Sequence, residues 1–441
     1  MPKPNILYLH SHDTGRYIEP YGHAIPTPNL MHLARTGVLF RKAFSGAPTC
    51  SPSRAALLTG QSAHAAGMIG LAHRGFALHD YEEHIIHTLR SAGYRSTLVG
   101  VQHVSADPSA IGYDNVADVK GHGAGQVADA AVDFLSSAPI QPFFLDVGFF
   151  ETHREFPQVG EEFEDADYCL PFPVLPDTPQ TRRDTAAFKA SARLLDDGVG
   201  QVLAALDATG LADNTLVIYT TDHGPAFPDM KCSLTDHGIG VSLIMRAPRA
   251  SNGDKPMFAG GRVVDAMVSQ TDVFPTLCDL LDIAPPEWLT GVSFVPVLRG
   301  EADEINDAIF AEVTYHAAYE PKRAVRTQRY KYIRRFGTRT RPVMPNCDDS
   351  PSKDVWLEKG WRNRPVPFEE LFDLVFDPQE RNNLAEKAAY ADILTDMRGR
   401  LNTWMLDTRD PLLEGSVRAP SGAKANDPDG LSPREPAQTV E

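Results

Sequence analysis

Apolar residues along the N-terminal two thirds of the chain form short runs with little polar alternation. Such runs are typical of buried parallel strands, and the sequence predicts them at residues 5–10, 96–100, 143–149, 215–221 and 242–246. Amphipathic stretches between them predict one helix that opens at Thr27 and ends near residue 35, and others at 84–92, 124–135 and 188–209. This alternation favours an α/β sheet with helices on both faces, which binds ligands at the carboxyl ends of its strands.

The pattern changes after residue 303. Short strands are predicted at 308–313, 324–329 and 330–335 with hairpin-like spacing, and a helix is predicted at 390–406. We therefore expect a large α/β domain over residues 1–303 and a small α+β domain with an antiparallel sheet over 304–410. Proline, glycine, serine and charged residues dominate residues 411–441 and leave no periodic apolar face, so this segment is predicted to be a flexible tail.

Composition narrows the range of functions. With 441 residues, the chain is too long for a single compact core. Its 42 basic and 58 acidic residues give a formal net charge of −16, which excludes a broad basic surface for nucleic acid or an anionic membrane. An anionic substrate would therefore need a small positive pocket made by a metal ion and a few basic side chains.

The five cysteines are scattered and include no CxxC pair, so the sequence predicts neither a disulfide framework nor a zinc site of that kind. The first residues enter a strand almost at once, without a signal-peptide pattern or a run of eighteen apolar residues. As given, the chain is expected to be cytoplasmic. A protein from which a signal had been removed would instead be periplasmic or secreted.

The segment CSPSRAALLTG places Cys50 and Arg54 four residues apart at the start of a predicted helix. This spacing suits a reactive group with a cation beside it. The segment resembles the C-x-P-S-R signature of the type I sulfatases, and the resemblance extends through LVIYTTDHGPAFP and ELFDLVFDPQERNNLAE. Within that family the chain is most similar to the heparan N-sulfatase (sulfamidase) branch and its bacterial relatives. The resemblance implies an alkaline phosphatase-like fold and a formylglycine nucleophile, which a formylglycine-generating enzyme makes from Cys50.

Two strand ends carry candidate metal ligands. His12 and Asp13 follow the first predicted strand, and Asp222 and His223 follow the strand at 215–221. Carboxylates that meet near Cys50 would hold a hard divalent cation, and the resemblance implies Ca²⁺, with Mg²⁺ or Mn²⁺ as alternatives. Many sulfatases have aspartate at the position of His12. This histidine therefore either binds the metal itself or supports Asp13 from behind.

Three further residues just past predicted strands match working positions of the family, namely His103, His153 and Lys231. The resemblance implies that Arg54 and Lys231 stabilise charge on the sulfuryl oxygens. It also implies that His153 protonates the departing oxygen or nitrogen. His103 would then remove a proton from the nucleophilic group, which expels sulfate and restores the aldehyde.

Four other residues are candidates for the outer pocket, and each is equally consistent with an ordinary surface position: His73, Arg74, His316 and Arg323. The expected substrate is a small anionic sulfated sugar or aryl sulfate. No nucleic-acid or membrane partner is expected, and the sequence leaves the oligomeric state open.

Val101 departs from the family, which usually has lysine at this position. Gln102 or Arg74 could replace the missing cation, or Lys231 could act alone. The difference also leaves two rival functions open. One is hydrolysis of phosphonate monoesters or phosphodiesters with the same groups, and the other is binding of sulfated glycans without catalysis.

Overall fold

The structure is a computed structural model that describes residues 3–157, 166–249 and 257–441. A nine-stranded sheet dominates these residues, with the strand order β4-β3-β5-β1-β6-β8-β2-β7 and with β9 also paired to β2. Its strands are β1 (Asn5–Ser11), β2 (Val38–Phe44), β3 (Arg95–Gly100), β4 (Asn115–Val116), β5 (Phe143–Gly148), β6 (Thr215–Thr221), β7 (Gly240–Val241), β8 (Leu243–Arg246) and β9 (Arg262–Ser269). Parallel pairs are in the majority, and β7 and β8 run antiparallel to their neighbours.

Helices cover both faces of this sheet. The helices of the described residues are α1 (Pro28–Thr36), α2 (Cys50–Thr59), α3 (Ile85–Ser91), α4 (Ala124–Ser136), α5 (Pro179–Ala208), α6 (Asp236–Ile239), α7 (Val273–Leu280), α8 (Val295–Arg299), α9 (Pro351–Glu358) and α10 (Ala391–Asp407), of which α10 packs on a second sheet. Along β1, Ile6 packs into the core beneath α2 and α7, whereas Leu7 packs into the core beneath α4 and α5. Alternate residues of a strand point to opposite faces, so a strand buried on both faces is apolar throughout. Among the described residues, no helix is both long and apolar enough to cross a membrane.

A second, antiparallel sheet of four strands follows, made of β10 (Ile309–Tyr315), β11 (Tyr319–Arg326), β12 (Tyr330–Arg335) and β13 (Glu369–Asp373). Apolar residues of α10, including Met397 and Leu401, cover one face by packing on Val325 and Tyr332. The other face packs against Phe44 at the end of β2. The predicted fold class is therefore confirmed, while the boundaries at residues 303 and 410 remain a prediction.

Several element boundaries differ from the sequence-based expectation. The strand predicted at 324–329 is β11, which ends at Arg326 because Thr327 and Tyr330 close a turn with backbone and side-chain hydrogen bonds of 2.8 and 3.0 Å. Helix α5 begins well before residue 188, since Thr178 caps it and Pro179 occupies its first turn. Strands β2 and β9 were not predicted.

The C-terminal segment differs from the flexible tail that its composition predicts. Ala419 and Ala423 are buried in the core beneath α2. The backbone N–H of Asn426 donates to the carbonyl oxygen of Ala317 at 2.8 Å, and the two short strands β14 (Lys424–Ala425) and β15 (Gln438–Thr439) pair with each other. A few small apolar residues and backbone hydrogen bonds thus dock a segment that has no apolar periodicity of its own.

Candidate active site

The functional side chains converge at the carboxyl ends of β1 and β6. These strands are parallel neighbours, and Ser11 at the end of β1 is paired with Thr221 at the end of β6. The residues that follow them, His12-Asp13 and Asp222-His223, therefore emerge side by side. Cys50 is the first residue of α2 and is 2% exposed, so the helix start brings the predicted nucleophile to the same strand ends. The convergence that the sequence predicts is present.

Short distances join Cys50 to this cluster. Its Sγ atom lies 3.3 Å from Nε2 of His223 and 3.9 Å from Oδ1 of Asp13. The same Nε2 atom is 3.3 Å from Oδ1 of Asp13, and the Asp13 backbone N–H donates to Oδ1 of Asp222 at 2.8 Å. Burial raises the pKa of the Cys50 thiol well above its usual value. An unmodified Cys50 would therefore remain a thiol, which is a poor nucleophile.

The predicted metal ligands fit a divalent cation. His12, Asp13, Cys50 and Asp222 each offer one ligand atom, and these atoms all lie within 4.8 Å of one another. Nε2 of His12 is buried without a hydrogen-bond partner, although a buried polar atom normally has one. His223 is close to both carboxylates, at 3.3 and 3.8 Å. Two carboxylates with an imidazole suit a hard or borderline cation.

Two cations neutralise the buried carboxylates. Nη2 of Arg54 is 3.1 Å from Oδ2 of Asp222, and Nζ of Lys231 is 2.9 Å from Oδ2 of Asp13. Burial alone would raise the pKa of Asp222, but His223 and Arg54 outweigh it and hold this pKa well below the usual value. Burial likewise opposes the charge on Lys231, yet Asp13 and a second carboxylate raise its pKa well above normal. Asp222 and Lys231 therefore stay charged near neutral pH.

The predicted histidines line the opening. Nδ1 of His73 is 3.0 Å from Nε2 of His103, and the His103 ring centre is 5.5 Å from that of His12. Burial, followed by the charge of Arg54, lowers the pKa of His103 to about 3, so its imidazole is neutral. Nε2 of His153 lies 3.5 Å from Nζ of Lys231, and its side chain is 25% exposed. His103 therefore has an unprotonated ring nitrogen, and His153 is accessible to a leaving group.

The four outer-pocket candidates have different positions. His73 lies beside His103. His316 is buried, and burial together with the positive charge of Lys231 holds the pKa of His316 well below its usual value. Arg74 is at the rim, where it donates to the Asn426 side chain at 2.7 Å.

Arg323 does not line the pocket, and this corrects the prediction. It is fully buried beneath the small sheet, where it pairs with Asp410 at 2.5 Å and with Glu312 at 3.3 Å. Its side chain points into the interior because Arg323 occupies an inward position of β11.

Sequence reasoning missed two groups of site residues. Asp348 lies in the loop before α9, and its Oδ2 atom is 3.1 Å from Nζ of Lys231. No motif marks it, since it reaches the site from the small domain. His10 lies 2.8 Å from Asp146 through Nε2, and Arg54 donates to its Nδ1 atom. The two-residue repeat of β1 places His10 and His12 on one face, so strand periodicity could have indicated His10.

Neither Gln102 nor Arg74 takes the place of the lysine that the family usually has at position 101. The Gln102 side chain is bound to its own loop, because it donates to the carbonyl of Ser105 at 2.6 Å and accepts from the Ser105 N–H at 2.9 Å. Arg74 binds the C-terminal segment. Of the alternatives drawn from the sequence, the contacts favour Lys231 as the cation that faces the substrate.

Comparisons with family models and with known proteins identify the family of this chain. The model of the Sulfatase family matches residues 4–283, and the model named N-sulphoglucosamine sulphohydrolase, C-terminal, matches residues 231–352. The human N-sulphoglucosamine sulphohydrolase is 30% identical, with 95% of this chain and 92% of that protein covered. A Delta 4,5-hexuronate-2-O-sulfatase of Bacteroides thetaiotaomicron is 28% identical, with 92% and 90% covered.

Solved structures share the fold. A 2-O GAG sulfatase superposes with a TM-score of 0.71 at 23% identity, with 95% of each chain covered. A protein solved in complex with its substrate D-glucosamine-2-N,6-O-disulfate superposes with a TM-score of 0.70 at 19% identity, with 93% and 99% covered. The fold is alkaline phosphatase-like, and the chain belongs to the sulfatase family of sulfuric ester hydrolases.

Proposed function

We propose that the protein hydrolyses sulfate esters or sulfamates, with a formylglycine at position 50 and a divalent metal ion beside it. One observation carries the proposal. The Cys50 sulfur lies within 3.9 Å of both His223 and Asp13, in a buried cluster of potential metal ligands beside Arg54 and Lys231. Such a cluster binds an anionic group and brings it to the side chain at position 50.

His12, Asp13 and Asp222 would hold the metal, and His223 stands close enough to join them. Ca²⁺ is the proposed ion, with Mg²⁺ and Mn²⁺ as the alternatives that metal analysis would separate. When bound, the metal would polarise sulfate oxygens, and a formylglycine would supply a hydrated aldehyde as nucleophile.

The side chains of this protein have separate tasks in the proposed reaction. Lys231 and Arg54 stabilise negative charge on the sulfuryl oxygens, since both are buried cations in a site that excludes water. His153 donates a proton to the departing oxygen or nitrogen from its accessible position. His103, whose imidazole is neutral, accepts the proton from the nucleophilic group through an unprotonated ring nitrogen. Asp222 holds Arg54 in place at 3.1 Å.

The proposed substrate is a small sulfated sugar or an aryl sulfate. Support comes from the names of the relatives, which include an N-sulphoglucosamine sulphohydrolase and a 2-O GAG sulfatase. The half-exposed rim formed by His73, Arg74 and His153 leaves an opening toward solvent above a deeply buried centre. A single sulfated group would enter such a pocket while the rest of the molecule stays outside.

The test compares turnover of 4-nitrophenyl sulfate with turnover of a 4-nitrophenyl phosphonate monoester. We expect the sulfate to be the better substrate, and a large preference for the phosphonate would overturn the assignment. No turnover of either compound, in protein shown to carry formylglycine, would favour glycan binding without catalysis. Mass analysis of the peptide that contains Cys50 should show a loss of about 18 Da, because a carbonyl oxygen replaces the thiol.

A further inference from the structure

A carboxylate that the proposed reaction does not use lies against Lys231 in the candidate site. Asp348 is 16% exposed, and its Oδ2 atom is 3.1 Å from Nζ of Lys231. Burial would raise its pKa, but Lys231, His153 and His316 outweigh burial and lower this pKa far below its usual value. Asp348 is therefore an ionised carboxylate near accessible His153 and buried His316.

The backbone around Asp348 is held firmly. Nζ of buried Lys353 donates to the carbonyl oxygen of Cys347 at 2.7 Å, and the side-chain oxygen of Asn346 accepts from the Ala318 N–H at 2.8 Å. Cys347 directly precedes Asp348 in the chain, and Asn346 lies two residues before it. The carboxylate is consequently fixed in the pocket by its neighbours, and it has little freedom to swing toward solvent.

The negative charge of Asp348 is unexpected in a site that is proposed to bind an anionic substrate. Lys231 already pairs with Asp13 at 2.9 Å, so Asp348 shares its cation with another carboxylate. Val101 supplies no further positive charge. A second anionic group on the substrate would be repelled at this position, whereas a hydroxyl or ammonium group would form a charge-assisted hydrogen bond.

We propose that Asp348 determines specificity by accepting hydrogen bonds from hydroxyl or ammonium groups on the part of the substrate that is released. It selects neutral or cationic sugars and disfavours substrates with a carboxylate or a second sulfate at that place. The inference rests on the proposed function for the reaction itself. It adds the chemical class of the group that carries the sulfate.

The first experiment compares the parent with Asp348→Asn on two substrates. N-sulfoglucosamine offers hydroxyl donors, whereas 4-nitrophenyl sulfate offers none. We expect kcat/KM for the sugar to fall by roughly tenfold more than kcat/KM for the aryl sulfate, because only the sugar loses a hydrogen bond to the carboxylate. Asp354→Asn, at an exposed carboxylate of α9, is the matched control, and it should leave both values near those of the parent.

An equal loss on both substrates would overturn the inference, because it would mean that Asp348 only positions Lys231. Unchanged values on both would overturn it as well. A hexuronate 2-sulfate, which has a carboxylate, provides the converse test. Its turnover relative to that of N-sulfoglucosamine should improve in Asp348→Asn.

A binding measurement separates this inference from the proposed function. Glucosamine is the product expected from N-sulfoglucosamine, and its binding needs neither formylglycine nor turnover. Calorimetry should show a Kd about tenfold weaker in Asp348→Asn than in the parent, with the Kd of Asp354→Asn unchanged. Equal affinities, or no binding to the parent, would overturn the role of Asp348. Failure of the parent to cleave any sulfate ester, with glucosamine binding still dependent on Asp348, would overturn only the reaction.

Discussion

Two of the buried clusters of charged side chains in the described part of this protein are completed in different ways. The site cluster, at the ends of β1 and β6, consists of Asp13, Asp222, Arg54 and Lys231. The subdomain cluster, between the loop after α2 and the small sheet, consists of His64, Glu312, Arg323 and Asp410. Comparing them shows which property of a buried charge indicates function.

The subdomain cluster is saturated with hydrogen bonds. Both carboxylate oxygens of Asp410 accept from Arg323, at 2.5 and 3.0 Å, and Asp410 also caps the backbone at Leu412. Nδ1 of His64 lies 2.9 and 3.0 Å from the two oxygens of Glu312. This arrangement leaves no place for a ligand among these four side chains. It joins the loop after α2 to the small sheet.

The site cluster is incomplete. Nε2 of His12 and Nε of Arg54 are buried without hydrogen-bond partners. The Asp13 backbone N–H donates to the Asp222 carboxylate, and Cys50 lies beside the Asp13 carboxylate. Because native proteins normally pair their buried polar atoms, these unpaired atoms indicate a place for a ligand. Burial and charge are common to both clusters, and incomplete hydrogen bonding is the property that separates them.

The largest expected effect comes from removing the sulfur atom of the site cluster. Cys50→Ala should reduce turnover of 4-nitrophenyl sulfate on the order of 10⁴-fold or more, because the nucleophile is lost. Cys278→Ala, at another buried cysteine, in α7, is the control and should keep its activity. Retained turnover in Cys50→Ala would show that the site cluster is not the reaction centre.

The subdomain cluster should affect stability instead of activity. Asp410→Asn leaves Arg323 buried with a weakened partner, so we expect the free energy of unfolding to fall by about 3 kcal/mol. Activity per folded molecule should be unchanged. The exposed neighbour Asp407→Asn is the control and should change stability by less than about 0.5 kcal/mol. Denaturant titration measures both variants, and a loss of activity without a loss of stability in Asp410→Asn would contradict the comparison.

The sequence predicted the site cluster well and the pocket wall less well. Cys50 and Arg54 lie in one short motif, and Asp13 and Asp222 directly follow strands that a run of apolar residues makes recognisable. Adjacent parallel strands must bring such residues together, so local sequence is sufficient there.

Other residues depend on packing between distant segments. Asp348 reaches the site from a loop of the small domain, and only the docking of that domain brings it to Lys231. Arg323 was placed in the pocket because a basic residue in a short strand gives no sign of which face it occupies. The burial of Ala423 was likewise missed, because small residues in the C-terminal segment carry no periodic signal.

A metal ion should stabilise the site cluster and not the subdomain cluster. Added Ca²⁺ at about a hundred times its Kd should raise the free energy of unfolding of the metal-free protein by about 2.7 kcal/mol. Asp13→Asn should abolish this response, because it removes a charged ligand. Asp410→Asn should retain it, although that variant starts from lower stability. Thermal unfolding with and without a chelator measures the response, and an equal response in Asp13→Asn and the parent would exclude Asp13 as a ligand.

The smallest expected effect concerns the acid stability that the subdomain cluster supplies. Burial alone would raise the pKa of Glu312, but His64 and Arg323 outweigh it and lower this pKa from 4.5 to about 2. In the folded protein the carboxylate therefore stays ionised at pH values where the unfolded chain binds a proton. Its stabilising contribution is complete above about pH 4.5 and is lost as the pH falls toward 2, at up to about 1.4 kcal/mol per pH unit.

Glu312→Gln removes this titration. Below pH 4.5, the free energy of unfolding of the variant should therefore fall with acid less steeply than that of the parent, by up to about 1.4 kcal/mol per pH unit. At neutral pH the variant is less stable than the parent. Cys278→Ala controls for lost stability, because it removes buried atoms without removing a carboxyl group. Its acid dependence should match that of the parent. Urea titrations at several pH values measure the slopes. If Glu312→Gln and the parent have the same slope, the ion pairs of the subdomain cluster do not hold Glu312 ionised, and hydrogen-bond saturation would no longer distinguish the two clusters.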